Sequence, residues 1–141
     1  MKKNKNNEKV ADVLDTSRRD CPVLEVEDLS VEYNSGGSVV HAVNHLSFAL
    51  ERGRTIGLVG ETGAGKTSTA LAIMRLLPDR ISAVPNGSVK IYGKEVRDIP
   101  EGQMRLLRGE IVSMIFQDPM TALNPLMKVG RQIAENARIH G

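Results

Sequence analysis

The sequence has few aromatic residues and a single cysteine. Of its 141 residues 3% are aromatic, none is tryptophan, and the one thiol is that of Cys21. One thiol cannot form an internal disulfide, so a disulfide-stapled secreted scaffold is excluded and a reducing compartment is favoured. The rest of the composition, 40% hydrophobic and 26% charged, is ordinary for a soluble globular chain and by itself predicts no function.

Long hydrophobic runs are also missing. No stretch reaches the roughly 18 to 20 apolar residues that a membrane-spanning helix needs. The start Met1-Lys2-Lys3 resembles the charged beginning of a signal peptide, but residues 4–8 are polar where the apolar centre should follow. We therefore expect no export by a signal peptide, and any association with a membrane should be peripheral.

The excess of positive charge is small and lies wholly at the amino terminus. Residues 1–20 carry six basic and four acidic side chains, whereas residues 21–141 carry thirteen of each. Such a run favours a solvated tail over a docking patch, and we expect no nucleic-acid partner. We predict a polar leader that orders little over residues 1–21 and a folded domain over residues 22–141.

Short apolar segments begin at Pro22 and predict strands first. Residues 23–33, 39–43 and 46–50 flank the turn signal of residues 35–38, Ser-Gly-Gly-Ser, which indicates an antiparallel hairpin. Further strands are predicted over residues 55–59, 87–91, 94–96 and 111–116.

Helices are predicted at three places. The first, over residues 66–77, is apolar round most of its circumference and should be buried against a sheet; the second runs from Pro100 to about Leu107. The third closes the chain and has Leu126, Val129, Ile133 and Ala137 on one face. Since no strand follows it, we expect the architecture to be incomplete.

The most informative motif is the run from Gly60 to Thr67, Gly-Glu-Thr-Gly-Ala-Gly-Lys-Thr, which fits G-x-x-x-x-G-K-[ST] at every defined position. Glycines let successive backbone amides surround phosphate oxygens, and the amino terminus of the following helix favours the same charge. The predicted cofactor-binding residues here are Gly60, Gly63, Ala64, Gly65, Lys66, Thr67 and Ser68.

Three side chains of this motif have separate predicted roles. Lys66 supplies a cation to the β and γ phosphates, the Thr67 hydroxyl binds magnesium, and Ser68 donates to an α-phosphate oxygen. The alternative is a glycine loop that only turns a strand into a helix. The four defined positions match by chance on the order of once in two hundred chains of this length, and the flanking strand and helix favour phosphate binding.

The segment after the strand of residues 111–116 leaves two interpretations open. In one, Asp118 is the Walker B carboxylate of a small stand-alone nucleotide-dependent switch or kinase. In the other, Gln117 is the functional residue and the Walker B carboxylate lies beyond this chain.

Residues 114–119, Met-Ile-Phe-Gln-Asp-Pro, resemble the Q-loop of the ATP-binding subunits of ABC transporters. Residues 120–126, 129–130 and 132–135 are similar to the branch that imports oligopeptides, dipeptides and nickel. Residues 108–111 and the phosphate loop fit the same branch. The resemblance covers about residues 23–140.

This resemblance implies an α/β P-loop NTPase fold of the ABC type with an antiparallel β-subdomain, present here as its amino-terminal half. It implies that Gln117 is the catalytic residue, which contacts magnesium and the attacking water, and that Tyr33 stacks on adenine. Pattern alone equally allows Tyr33 to be a strand-end tyrosine beside a turn. The sequence contains no Leu-Ser-Gly-Gly-Gln signature, no convincing Asp-Glu pair and no switch histidine after them.

The function that the resemblance implies is that of an energy-coupling subunit of an ABC importer for peptides or a similar solute. ATP and Mg²⁺ are the implied cofactors, and the implied partners are transmembrane permease subunits and a second ATP-binding subunit. Such a protein is peripheral on the cytoplasmic face of the cell membrane. Two alternatives stay open: a nucleotide- or permease-binding module without turnover, and a stand-alone NTPase that uses Asp118.

Overall fold

The computed structural model describes residues 10–116 and 123–140. Its strands are β1 (Leu24–Ser35), β2 (Ser38–Leu50), β3 (Ser82–Ile91) and β4 (Lys94–Glu95); its helices are α1 (Lys66–Ile73), α2 (Glu101–Glu110) and α3 (Val129–His140), with a short 3₁₀ turn at Val96–Asp98. The chain forms two compact units. One is Leu14–Pro100, and the other contains the described parts of Met1–Val13 and Glu101–Gly141.

All four strands lie in the first unit and form one antiparallel sheet with the order β2-β1-β3-β4. The predicted hairpin is confirmed, and Ser35 pairs with Ser38 across its turn. Gly36 and Gly37 have φ values of 59° and 90°, as a two-residue turn with the twist of the flanking strands requires. The predicted strand of residues 87–91 is the end of the longer β3.

The core of this unit lies on β1, which pairs with a strand on each side. Its residues Val26, Leu29 and Val31 are at most 1% exposed. They do not alternate strictly, because the register shifts between Val26 and Leu29, where Asp28 has a φ of 51°. Neighbouring elements contribute the other fully buried apolar side chains of this region, Ile91, Val96 and Ile99.

Two predicted strands are not strands in the structure. Residues 55–59 and 113–116 have no regular structure, and Val112 makes only an isolated bridge with Arg108. Val59 is 98% and Ile115 96% exposed. A strand exists only where a neighbour completes its hydrogen-bond ladder. Within the described residues no neighbour pairs with these two segments, so their apolar character alone does not make them strands.

Helix α1 is shorter and less buried than predicted. It ends at Ile73 instead of residue 77, because Arg75 takes a left-handed conformation with a φ of 51° and Leu76 N donates back to Leu71 O at 2.8 Å. This is the hydrogen-bond pattern of a Schellman ending, in which glycine is the usual left-handed residue. Only Thr69 and Ala72 of the helix are buried.

Part of the predicted leader, residues 10–20, lies within the described residues. Val10, Val13 and Leu14 of this segment are buried. Arg18 donates to Asp20 at 2.6 Å and to the carbonyl oxygen of Tyr92 at 3.4 Å. The first nine residues lie outside the described part, and the domain boundary after residue 21 stays a prediction.

In the second unit α2 begins within a residue of its predicted start, whereas α3 begins only at Val129, so Leu126, predicted to lie on its apolar face, precedes the helix and is 93% exposed. In α2, Met104 and Leu107 are fully buried, and the helical conformation stops after Leu107 because Gly109 has a φ of 101°. Helix α3 has the predicted apolar side chains of Val129 and Ile133, which are 53% and 68% exposed. No helix in the described ranges has the length and apolar character to cross a bilayer.

Candidate functional site

The loop from Gly60 to Lys66 is compact and makes its own turn. Ala64 N donates to Glu61 O at 3.1 Å, and Gly63 and Gly65 have φ values of 87° and 78°. A Cβ on Gly60 would lie 3.0 Å from the Cβ of Ala64, so the start of the loop closes against its far side. The positive φ values of Gly63 and Gly65 thus give the loop its close bend.

Gly65 joins this loop to helix α1. It is the residue before the helix, and no side chain caps it. The first hydrogen bond within the helix is from Thr69 N to Gly65 O at 2.8 Å, and the buried Thr69 hydroxyl donates to the same oxygen at 2.9 Å. These two bonds fix where the helix begins.

The backbone amides of Lys66, Thr67 and Ser68 therefore occupy the first three helical positions. Amides at these positions have no acceptor within their own helix, and they lie at its positive end. In the absence of a capping side chain, the arrangement suits an anion such as a phosphate group. The observed backbone fits the polyphosphate that the motif predicts.

The side chain of Lys66 contacts the beginning of the loop. Its Nζ donates to Gly60 O and to Glu61 O, each at 2.6 Å. The carbonyl oxygens hold the ammonium group beside the same backbone that presents the amides. The loop and the start of α1 thus contribute both a cation and backbone donors, and their combined charge favours a polyanion.

Two predicted side chains lie at the start of α1. Thr67 is exposed, so its hydroxyl is accessible for the predicted magnesium contact. Ser68 is half-buried, and the hydroxyl of Tyr33 donates to its Oγ at 3.2 Å. The structure thus brings Tyr33 of β1 to the phosphate loop, although 35 residues separate the two side chains.

An open cleft of about 400 Å³ adjoins the loop, within the range of small-molecule sites. Its lining includes residues of the loop and five residues of β2; the complete set is His41, Ala42, Val43, Asn44, Leu46, Leu58, Val59, Gly63, Ala64, Lys66 and Thr69. The sequence pattern predicted β2 only as a strand, and nothing local indicates that it borders this cleft.

His41 of this cleft is held by a neighbouring strand. Its Nδ1 lies 3.1 Å from Glu32 Oε1, and the two residues are register partners on β2 and β1. No group of three His, Cys, Asp or Glu side chains within residues 10–116 and 123–140 could hold a metal ion. Among the described residues, the predicted magnesium contact therefore depends on Thr67.

Two predicted residues cannot be placed. Gln117 and Asp118 lie outside the described residues. The catalytic and magnesium-binding role of Gln117, and the alternative role of Asp118 as a Walker B carboxylate, stay predictions.

Comparison with known sequences gives one consistent family. The family model described as "ABC transporter" matches residues 43–140. The chain is 45% identical over 119 residues to the peptidoglycan transport ATP-binding protein YejF of Agrobacterium fabrum. It is 45% identical to the oligopeptide transport ATP-binding protein OppD of Haemophilus influenzae and 44% to the probable D,D-dipeptide transport ATP-binding protein DdpD of Escherichia coli, each over 119 residues.

Each of these three matches covers 84% of this chain. The chain spans 22% of the length of YejF and 36% of the length of OppD and of DdpD. The region matched by the family model, residues 43–140, contains the phosphate loop and the second half of β2. The likeness thus includes the candidate site.

Proposed function

Because this chain belongs to the ABC transporter family, as the ATP-binding component, we propose that it binds ATP with Mg²⁺ at the loop of residues 60–68. The observation that carries the proposal is the uncapped start of α1, directly after a loop whose Gly60 and Glu61 carbonyl oxygens hold the Lys66 ammonium group. A binding site for a triphosphate needs this combination of donors and positive charge.

Each group of the site has its own part of the nucleotide to bind. The amides of residues 66–68 and the Lys66 ammonium group hold phosphate oxygens, and the Ser68 hydroxyl donates a further hydrogen bond to the α-phosphate. The Thr67 hydroxyl contributes a ligand to the magnesium ion of MgATP, which neutralises part of the phosphate charge. Tyr33 offers a π-face on which adenine stacks, and its hydroxyl already lies at the first turn of α1.

The whole protein's proposed role is to couple ATP hydrolysis to the import of peptides or a similar solute. The proposed class of solute rests on the names of the relatives, which refer to transport of oligopeptides, D,D-dipeptides and peptidoglycan. In this role the protein works with transmembrane permease subunits and a second ATP-binding subunit at the cytoplasmic face of the membrane. Gln117 would contact magnesium and the attacking water there.

Titration of the isotope-labelled chain with MgATP, followed by the backbone amide resonances, tests the binding site. We expect the resonances of residues 60–68 to shift with saturation. Those of residues 88–91 and of β4 should shift much less, because they lie at the other end of β3 from Ser82, the partner of Tyr33. Magnesium tripolyphosphate should shift the same loop resonances, because the phosphate contacts need no base. A folded sample whose loop resonances do not move with either ligand contradicts the proposal.

A further inference from the structure

The hydrogen bond between Tyr33 and Ser68 links the central strand of the sheet to the phosphate loop. Tyr33 Oη lies 3.2 Å from Ser68 Oγ, and both side chains are half-buried. Tyr33 pairs with Val40 of β2 on one side and with Ser82 of β3 on the other. Strand pairing on both sides holds the backbone of Tyr33 in place. Its side chain is therefore a firm support for the Ser68 hydroxyl at the start of α1.

We propose that the Tyr33 hydroxyl is a positioning group that orients the Ser68 hydroxyl toward a bound phosphate. The inference deepens the proposed function and rests on it. Stacking of a base uses only the ring of Tyr33, so it gives no task to the hydroxyl. The observed contact with Ser68 assigns the hydroxyl a task of its own, which can be tested separately from stacking by the ring.

The chemistry of the two hydroxyls sets the direction of the bond. A phenol is a better hydrogen-bond donor than an aliphatic alcohol, so Tyr33 donates and the Ser68 oxygen accepts. The Ser68 hydrogen then remains available for another acceptor. A hydroxyl that already accepts a hydrogen bond is polarised and becomes a better donor itself. Tyr33 therefore both fixes the Ser68 side chain and strengthens its bond to phosphate.

The position of Ser68 places that bond among the backbone donors. Ser68 is the third residue of α1, which begins at Lys66 and has no side-chain cap. Its hydroxyl and the amides of the first turn thus belong to one set of donors at the positive end of the helix. Loss of the orientation of Ser68 should weaken phosphate binding itself, and a ligand without a base should detect it.

Tyr33→Phe tests the proposal because it removes one oxygen and keeps the ring. Calorimetric titration should show MgATP and magnesium tripolyphosphate each bound about two- to tenfold more weakly, the range expected for one hydrogen bond. In a Ser68→Ala background the same change should have no further effect on either ligand. Ser68→Thr, which keeps a hydroxyl, should bind much closer to the unaltered chain than Ser68→Ala does.

Tyr92→Phe is the matched control, since it removes the hydroxyl of the second of the two tyrosines. It should leave both affinities unchanged. The loss of any Tyr33→Phe effect in the Ser68→Ala background is a result that a merely structural tyrosine would not produce. Thermal unfolding of both Phe variants at the same temperature as the unaltered chain would confirm that the fold is intact.

The results separate the inference from the proposed function. If the unaltered chain binds both ligands and Tyr33→Phe binds them equally well or more tightly, the positioning role is wrong while the nucleotide site stands. A Tyr33→Phe effect on MgATP alone also overturns the inference, because it assigns the hydroxyl to the base side. If the unaltered folded chain binds neither ligand, the proposed function fails and the inference fails with it.

Discussion

Gly65 lies so close to β2 that a Cβ on it would stand 2.1 Å from the carbonyl oxygen of Ala42. The same Cβ would lie 3.0 Å from Cγ2 of Val43. Glycine at this position therefore does more than permit the left-handed φ of 78°. It lets the end of the phosphate loop rest directly on the strand that lines the cleft.

Gly65→Ala should destabilise the chain far more than Gly63→Ala. Both residues have positive φ values, 78° and 87°, but nothing lies within 4 Å of a Cβ on Gly63. Gly63→Ala should lower the free energy of unfolding by about 1–2 kcal/mol, the strain of a left-handed alanine. Gly65→Ala adds an overpacking penalty of about 1–3 kcal/mol against a backbone atom that cannot rotate away. Urea denaturation measures both.

Gly57→Ala is the baseline for this comparison, because a Cβ there meets nothing within 4 Å and its φ is not positive. It should change the unfolding free energy by less than about 0.5 kcal/mol. Equal destabilisation by Gly65→Ala and Gly63→Ala would mean that the contact between Gly65 and Ala42 does not exist in solution.

The contrast between Gly63 and Gly65 shows which features of the loop can be predicted from the sequence. The motif predicted the loop, its glycines and the helix that follows, because these depend on residues adjacent in the chain. It could not predict that Gly65 rests on Ala42, since that contact depends on where the sheet places β2. The cleft residue His41 was missed for the same reason.

Lys66→Met should weaken MgATP binding by about tenfold to a hundredfold, the range for hydrogen bonds to a charged group. Methionine keeps most of the length of the side chain but removes the ammonium group that now bonds Gly60 O and Glu61 O. Titration calorimetry at constant ionic strength measures the loss. Lys94→Met, which removes the same charge from β4, should leave the affinity nearly unchanged; similar losses in the two variants would indicate a general charge effect.

Arg75→Gly should destabilise the chain, although it relieves an unfavourable backbone conformation. The left-handed φ of 51° costs an arginine about 1–2 kcal/mol. Against this, the guanidinium donates to the carbonyl oxygens of Val96 at 3.2 Å and of Ile99. Hydrogen bonds from a charged group contribute about 1.5–3 kcal/mol each, so two of them outweigh the strain and we expect a net loss of about 1–5 kcal/mol in chemical denaturation.

Arg75→Lys tests whether the forked guanidinium matters. One ammonium group keeps the charge but is poorly shaped to bridge two carbonyl oxygens, so this variant should also be less stable than the unaltered chain. Arg80→Lys, at an exposed position nearby, should be neutral. If Arg75→Gly proves more stable, backbone strain outweighs the two hydrogen bonds.

The elements that were predicted wrongly have two physical causes. Residues 55–59 have the composition of a buried strand, yet Val59 is 98% exposed in the structure. An apolar run indicates that a segment favours burial, but it does not show whether a neighbouring strand is present to pair with the segment and bury it. The end of α1 was misjudged differently, because an arginine in the left-handed position is rare and here depends on the distant carbonyl oxygens of Val96 and Ile99.

The ion pair of Arg18 and Asp20 should make the stability of residues 10–20 depend on pH in the acid range. The Arg18 guanidinium donates to Asp20 from Nε at 3.0 Å and from Nη2 at 2.6 Å, and it lowers the pKa of that carboxyl below its ordinary 3.8. Since the folded pKa is the lower one, the pair contributes stability above about pH 3.8, and the contribution is lost as the pH falls through the folded value. Arg18→Gln should return the Asp20 pKa toward 3.8 in a ¹³C carboxyl titration, and Arg19→Gln should not. An Asp20 pKa that stays low in Arg18→Gln would assign the shift to the backbone instead of the guanidinium.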